Sequence, residues 1–212
     1  MIDRISYAVI VASALALTAP VAAAQQGQEG AEQLPPISGD PVEIGRAPER
    51  EITEADELDA LFELLADPKN ENWEAIQAQI HGIWNHSGSP SMDLLARRAD
   101  KAMEAEDWDT ALVHLNDLTR LAPDFAEGWN KRATVFFLQG EYGASLDDIA
   151  RTLRLEPRHF GALSGLGIIL DRVGDSPGAL EAYRRAEKLH PHLPGVSEGI
   201  KKLTPEVEGQ RL

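Results

Sequence analysis

Six histidines and 35 carboxylates are the side chains of this 212-residue chain with the richest chemistry, because it has no cysteine. Without a thiolate there is no disulfide, no cysteine nucleophile and no thiolate metal site. His190-Pro191-His192 brackets a proline, and the nearest carboxylate, Glu187, lies a full turn back. Such a pair does not readily converge on one metal; at a helix C-terminus, partial negative charge favours a cationic imidazole instead. His81 and His86 are five apart, whereas residues sharing a helical face lie three or four apart. His114 sits mid-helix beside Leu115 and reads as a surface residue, and His159 follows Pro157 in a turn. The serines of Ser87-Gly88-Ser89-Pro90-Ser91 lack the strand-turn-helix setting and the second glycine of a nucleophile elbow. Ser91 reads as a helix N-cap, with Asp93 favourable in the first turn. Glu104, Glu106, Asp107 and Asp109 read as a solvated turn, and Asp147, Asp148, Asp171 and Asp175 as charged surface. There is no glycine-rich phosphate loop and no metal motif. These residues predict no catalytic residue, no metal site and no cofactor.

The elements around them are unevenly charged. The net charge is -15. Residues 25–91 hold 14 acidic and 3 basic side chains, whereas residues 92–193 hold 17 and 13. That balance argues against a surface for the nucleic-acid backbone or for anionic headgroups, both of which need Lys and Arg. Residues 1–24 read as a signal peptide: a short charged head, an apolar run from Ile5 to Pro20, and small residues at Ala22 and Ala24. Cleavage is expected after Ala24, giving a periplasmic protein with no membrane insertion; the alternative is an uncleaved N-terminal anchor. Residues 25–53 are rich in Gln, Glu, Gly and Pro and read as a disordered acidic linker.

From residue 92 the chain repeats itself every 34 residues. Pro123, Pro157 and Pro191 mark the period. Twelve residues before each stand Ala111, Ser145 and Ala179, and twelve before those Ala99, Ala133 and Gly167. Leu95, Trp129 and Leu163 recur in the same register, as do Leu121, Leu155 and Leu189. Each unit has two helical periodicities, split by a polar or glycine turn and closed by proline. Small residues at the eighth and twentieth positions allow close approach of the two helices. One such pair cannot bury its apolar face alone, so the units must stack. The predicted class is an all-α solenoid of antiparallel helix pairs: units 92–125, 126–159 and 160–193, a helical hairpin over 54–91, and a closing helix with tail over 194–212. The hairpin carries Leu58, Leu61, Phe62, Leu65, Ile76, Ile80, Ile83 and Trp84 at helical spacing and is expected to cap the N-terminal end, although Gln79 and Gly82 occupy normally apolar positions. The closing helix is expected to stop before Pro205.

Trp129, Ala133, Phe136, Gly140, Tyr142, Ser145, Ile149 and Pro157 resemble the tetratricopeptide repeat (TPR) family, and Leu163, Gly167, Leu170, Gly174, Ala179, Tyr183, Ala186 and Pro191 match it more closely. Unit one departs most, with Arg98 where Leu is usual and Glu106 where Gly is usual; Arg132 repeats the first departure. The resemblance implies a non-catalytic scaffold whose first helices line a concave groove for a protein or peptide. Carried across, the groove positions are Asp93, Ala96, Asp100, Met103 and Glu104; Glu127, Asn130, Thr134, Phe137 and Leu138; Gly161, Ser164, Ile168, Asp171 and Arg172. Only Asn130 and Arg172 suit a clamp for a C-terminal carboxylate, so that mode is set aside. A basic or apolar segment fits better, with Asp93, Asp100, Glu104 and Glu127 pairing with its Lys or Arg. Phe137, Leu138 and Ile168 are candidate apolar anchors, although Phe137 and Ile168 could equally pack between units. The second functional reading is an accessory subunit of a cell-envelope or cell-wall enzyme complex.

Overall fold

A computed structural model describes residues 53–209. The expected signal segment, its cleavage site, the linker up to residue 52 and the last three residues lie outside the described residues. Among the described residues every regular element is an α-helix: α1 (Glu54–Leu65), α2 (Trp73–Trp84), α3 (Pro90–Glu104), α4 (Trp108–Leu121), α5 (Ala126–Gln139), α6 (Tyr142–Leu155), α7 (Phe160–Val173), α8 (Ser176–Leu189) and α9 (Val196–Gly209). Helices α3–α8 pack as three successive antiparallel pairs, one per 34-residue unit, and α9 packs on α8.

The small residues do what their spacing implies. Ala99, Ala111, Ala133, Ser145 and Ala179 are all buried, and the Ser145 hydroxyl donates to the Ala133 carbonyl at 2.8 Å, joining the two small positions of unit two. In unit three the Tyr183 ring fills the space between α7 and α9. A Cβ on Gly167 would lie 2.6 Å from that ring, and one on Gly199 2.7 Å. The mid-unit turns need a left-handed residue: Gly140 has φ 82° and Gly174 φ 86°. In unit one Glu106 adopts φ 55°, so the departure noted in the sequence is one of residue type and not of backbone. Asp107 and Asp175 then cap α4 and α8 by accepting from Thr110 N–H and Gly178 N–H, each at 3.1 Å.

Arg132 also keeps the stack by other means. Its guanidinium donates twice to Asp148, at 2.7 and 2.8 Å, and to Asn116 and Thr119, each at 2.9 Å, while lying 4.9 Å over the Trp129 ring. It thus ties α4, α5 and α6 together with charge-assisted bonds where a leucine would supply apolar contact.

Three local expectations are corrected. The hairpin forms, but it does not take the end of the stack. The buried core of unit one, from Ala96 to Val135, contains no hairpin side chain. Leu58, Leu61, Phe62, Leu65, Ile76 and Ile80 join instead the core of unit three and α9, with Phe160, Leu163, Leu180, Tyr183 and Leu203. The reason is visible in α2: Gln79 and Gly82 are exposed, so no apolar face remains for stacking on α3. Second, α3 starts at Pro90 with Ser89 in the cap position, not at Ser91. Asp93 reaches back to accept from the Ser87 N–H at 2.9 Å and the Ser87 hydroxyl at 2.5 Å. Third, α9 runs through Pro205 to Gly209, because burial of Leu203 and Val207 on either side of the proline outweighs its one missing donor.

Candidate partner-binding groove

Helices α3, α5 and α7 bear the residues expected to line a groove, and the structure sorts them by access. Ala96, Met103, Glu127, Thr134, Phe137 and Ser164 are buried. Asp93, Asp100, Asn130, Leu138, Gly161, Ile168 and Asp171 are half-buried, and Glu104 and Arg172 are exposed. Phe137 packs in the core between units two and three, with Leu138 and Ile168 against the same cluster. Arg172 lies 5.1 Å over the Phe137 ring and donates to the Tyr142 hydroxyl at 3.0 Å. The accessible part of this face thus includes an apolar pair, Leu138 and Ile168, among half-buried Asp100, Asn130 and Asp171, with Glu104 exposed on unit one and Arg172 on unit three.

The acids expected to meet a ligand's cations are mostly engaged within the fold. Asp100 pairs with Lys131 at 2.7 Å, Asp93 with Ser87 and with His86 at 3.3 Å, and Asp171 with Lys202 at 2.7 Å. Glu127 is buried beneath its own cluster. His159 caps α7, its Nδ1 accepting from Ala162 N–H at 3.1 Å, which leaves the proton on Nε2 to donate to Glu127 at 2.9 Å. Lys131 approaches the other Glu127 oxygen at 3.7 Å. Burial alone would raise the Glu127 carboxyl; the His159 hydrogen bond and the Lys131 charge outweigh it and hold the carboxyl at about 2. Burial would likewise lower the Lys131 ammonium, and the Glu127 and Asp100 carboxylates instead raise it. Glu127 is therefore a fixed structural anion, not a docking charge. Among the described residues no three His, Asp or Glu side chains are grouped so that they could hold a metal ion.

The histidines sort differently from their expected places. His190 is fully buried, its Nε2 2.7 Å from the Gln77 side-chain oxygen, and burial pushes its pKa down to about 4. A helix end offers a cation only about 0.3–1 kcal/mol, and desolvation wins, so His190 is neutral and not the cationic cap its position suggests. His81 is lowered to about 4 as well, by burial against the opposing charge of Glu127 and with that of His159 and Lys131.

Two matches to the tetratricopeptide repeat family model cover residues 97–154 and 139–194. A TPR repeat-containing protein of Rhizobium etli is 39% identical over 155 residues, 73% of this chain and 76% of that one. The chain belongs to the tetratricopeptide repeat family. The TPR fold is seen again in solved structures. The Sgt2 TPR domain from Aspergillus fumigatus superposes with a TM-score of 0.53 at 20% identity, covering 58% of this chain and 83% of that domain. The first TPR of Spaghetti, bound to an HSP90 peptide, gives 0.53 at 16% identity, covering 55% and 93%. In TPR terms α3, α5 and α7 are the first helices of their units. Sequence reasoning by groove position missed Lys131, which pairs with Asp100 and Glu127 on this face, and the His159–Glu127 bond. The missed signal lay in Glu127 and His159 standing 32 residues apart, near the start and at the end of unit two.

Proposed function

We propose that this chain is a non-catalytic adaptor that holds a segment of another protein against the concave face of its three TPR units. The observation that carries this reading is the accessible apolar pair of Leu138 and Ile168, with exposed Glu104 and Arg172, on the face formed by the first helices. Its ligand is an apolar segment with a basic residue placed to meet Glu104; the wider acidic row is withdrawn from that role by Lys131, His159 and Ser87. The Spaghetti TPR bound to a peptide supports the general mode. No helix among the described residues is long and apolar enough to cross a membrane. The signal-like residues 1–24 support a periplasmic site of action, with Gln25 as the mature N-terminus.

Affinity capture from an envelope fraction tests the groove. Leu138→Asp with Glu104→Lys is expected to lose, at least tenfold, proteins that the wild-type chain retains. Equal recovery by both would refute the concave-face reading. Mass spectrometry of the chain recovered from cells tests the compartment, where a mature protein still beginning at Met1 would refute cleavage.

A further inference from the structure

Helix α2 carries Trp73, Gln77, His81 and Trp84 on one stripe, spaced by four, four and three residues. Each meets a loop that joins one TPR unit to the next element. Trp84 stacks on His159 with ring centres 4.3 Å apart and planes 11° from parallel. Trp73 stacks on His192 at 5.4 Å and 10°, and meets His190 at 5.4 Å. His81 packs edge-on against Phe160 at 5.4 Å, and Gln77 accepts from His190. His159 and His192 are 33 residues apart and stand at successive boundaries, after units two and three. The two tryptophans, eleven residues apart and so about 16 Å along the helix, therefore engage one boundary each. Helix α1 adds a charge contact: Asp59 accepts from Arg158 at 2.6 Å, and that guanidinium lies 4.5 Å over the Phe62 ring.

Around the buried apolar residues that the hairpin shares with unit three, this contact carries a rim with the composition of a recognition surface. Aromatic rings, a single Arg158–Asp59 ion pair and histidines meet along a line of unit boundaries. Three of its polar atoms are buried without a hydrogen-bond partner, Trp84 Nε1 on the hairpin and His190 Nδ1 and His192 Nε2 on the loop between unit three and α9, so the fit is incomplete. The hairpin reaches the surface across a short connector, residues 85–89, that contains Gly88 at φ 76°. A segment of another chain that satisfied His190 Nδ1 and His192 Nε2 would have an advantage over the resident one.

We infer that the row of inter-unit boundary residues Arg158, His159, Phe160, His190 and His192 is a helix-binding surface beside the concave groove, which it meets at the His159–Glu127 bond, and that the hairpin is its resident, displaceable ligand. The partner class follows from the occupant: an amphipathic helix with two aromatic rings eleven residues apart, one per boundary, and a carboxylate within reach of Arg158. Such a helix competes with the hairpin for the surface.

The test uses a fluorescent synthetic peptide of residues 54–88 and the full-length chain. Asp59→Lys with Phe62→Ser weakens the resident contact; this variant is expected to bind the peptide at least tenfold more tightly than the wild type. A peptide with Trp73→Ala and Trp84→Ala is expected to lose that binding. The chain lacks cysteine, so a bismaleimide bridge between Asp59→Cys and Arg158→Cys joins the hairpin to its site unambiguously. The bridged protein is expected to exclude the peptide at concentrations where the unbridged one, given long incubation, takes it up. Amide exchange in α2 reports whether the hairpin has opened. An opened hairpin with no peptide uptake, equal uptake of both peptides, or equal uptake by bridged and unbridged chains would overturn the inference. Leu138 and Glu104 do not touch this surface, so either outcome leaves the concave-groove reading to its own test.

Discussion

Arg132 stands where the TPR pattern usually has leucine, and restoring the leucine is the substitution a consensus argument would favour. The structure predicts the opposite. Asp148 is 4% exposed and takes two of the guanidinium's hydrogen bonds. Removing one member of a buried ion pair costs about 3–5 kcal/mol, because the remaining charge is left without a partner. The bonds to Asn116 and Thr119 add about 1 kcal/mol each. Against this, a buried leucine recovers about 1.5–3 kcal/mol. The balance for Arg132→Leu is a loss of about 2–5.5 kcal/mol. Arg132→Leu combined with Asp148→Leu removes the stranded charge and should return to within about 1 kcal/mol of the wild type. Arg98 occupies the same repeat position in unit one but is exposed, so Arg98→Leu should change stability by no more than about 0.5 kcal/mol. Urea unfolding followed by circular dichroism, compared at unchanged slope, measures all three. An Arg132→Leu chain as stable as the wild type, or a double variant no better than the single one, would refute the assignment of Arg132 as a clamp.

Glu106→Gly should stabilise the chain by about 0.5–1 kcal/mol, since φ 55° strains any residue with a Cβ; thermal melting reads the shift. Gly167→Ala should destabilise it by about 1–3 kcal/mol, because the added methyl meets the Tyr183 ring, which is held between α7 and α9; the urea midpoint reports it. Acid should loosen the hairpin before the units. His81 and His190 have folded-state values near 4 against 6.5 when free, so the neutral rings favour the folded form. Their contribution is complete above pH 6.5 and is lost as the pH falls toward 4, by up to about 3 kcal/mol for each ring. His81 faces Glu127, His159 and Lys131, and His190 faces His192 and His81, so only Glu127 opposes the loss. Glu127 itself contributes above pH 4.5 and is lost only toward 2. Amide protection in α2, corrected for the intrinsic exchange rate at each pH, that falls between pH 6 and 4 ahead of protection in α6 is the expected result; simultaneous loss would contradict it.

The fold was largely legible because a solenoid is local. Each unit's small residues, turn glycine and closing proline lie within 34 residues, and a threefold register makes the pattern hard to mistake. The turn at Glu106 could be placed from the register even though its residue type was wrong for it. What the sequence hid is non-local. That Glu127 is neutralised by His159 and Lys131 depends on two helices and a loop meeting, and a groove position alone does not say whether its carboxylate is spent inside the fold. The hairpin's destination was hidden for the same reason. Its apolar spacing identifies helices, but the surface it seeks lies 70 or more residues on, past a unit to which it contributes no buried core.

The histidines show why the two kinds of information diverge. At a helix terminus a histidine is read from sequence as a charge, because the local dipole is the only partner in view. At the inter-unit boundaries of this chain its partners are tryptophan rings from α2, and at His190 burial makes the neutral imidazole the stable form. A neutral imidazole can stack as a flat ring and still form a hydrogen bond through one nitrogen, as His159 does with Glu127 and His190 with Gln77. An aliphatic residue would pack but could not cap α7 or hold Glu127. A lysine would bring a charge that the boundary cannot solvate. Histidine meets both demands, and at His81 and His190 burial makes the charged ring unfavourable, so residues that close the hairpin onto the units are also placed to release it in acid.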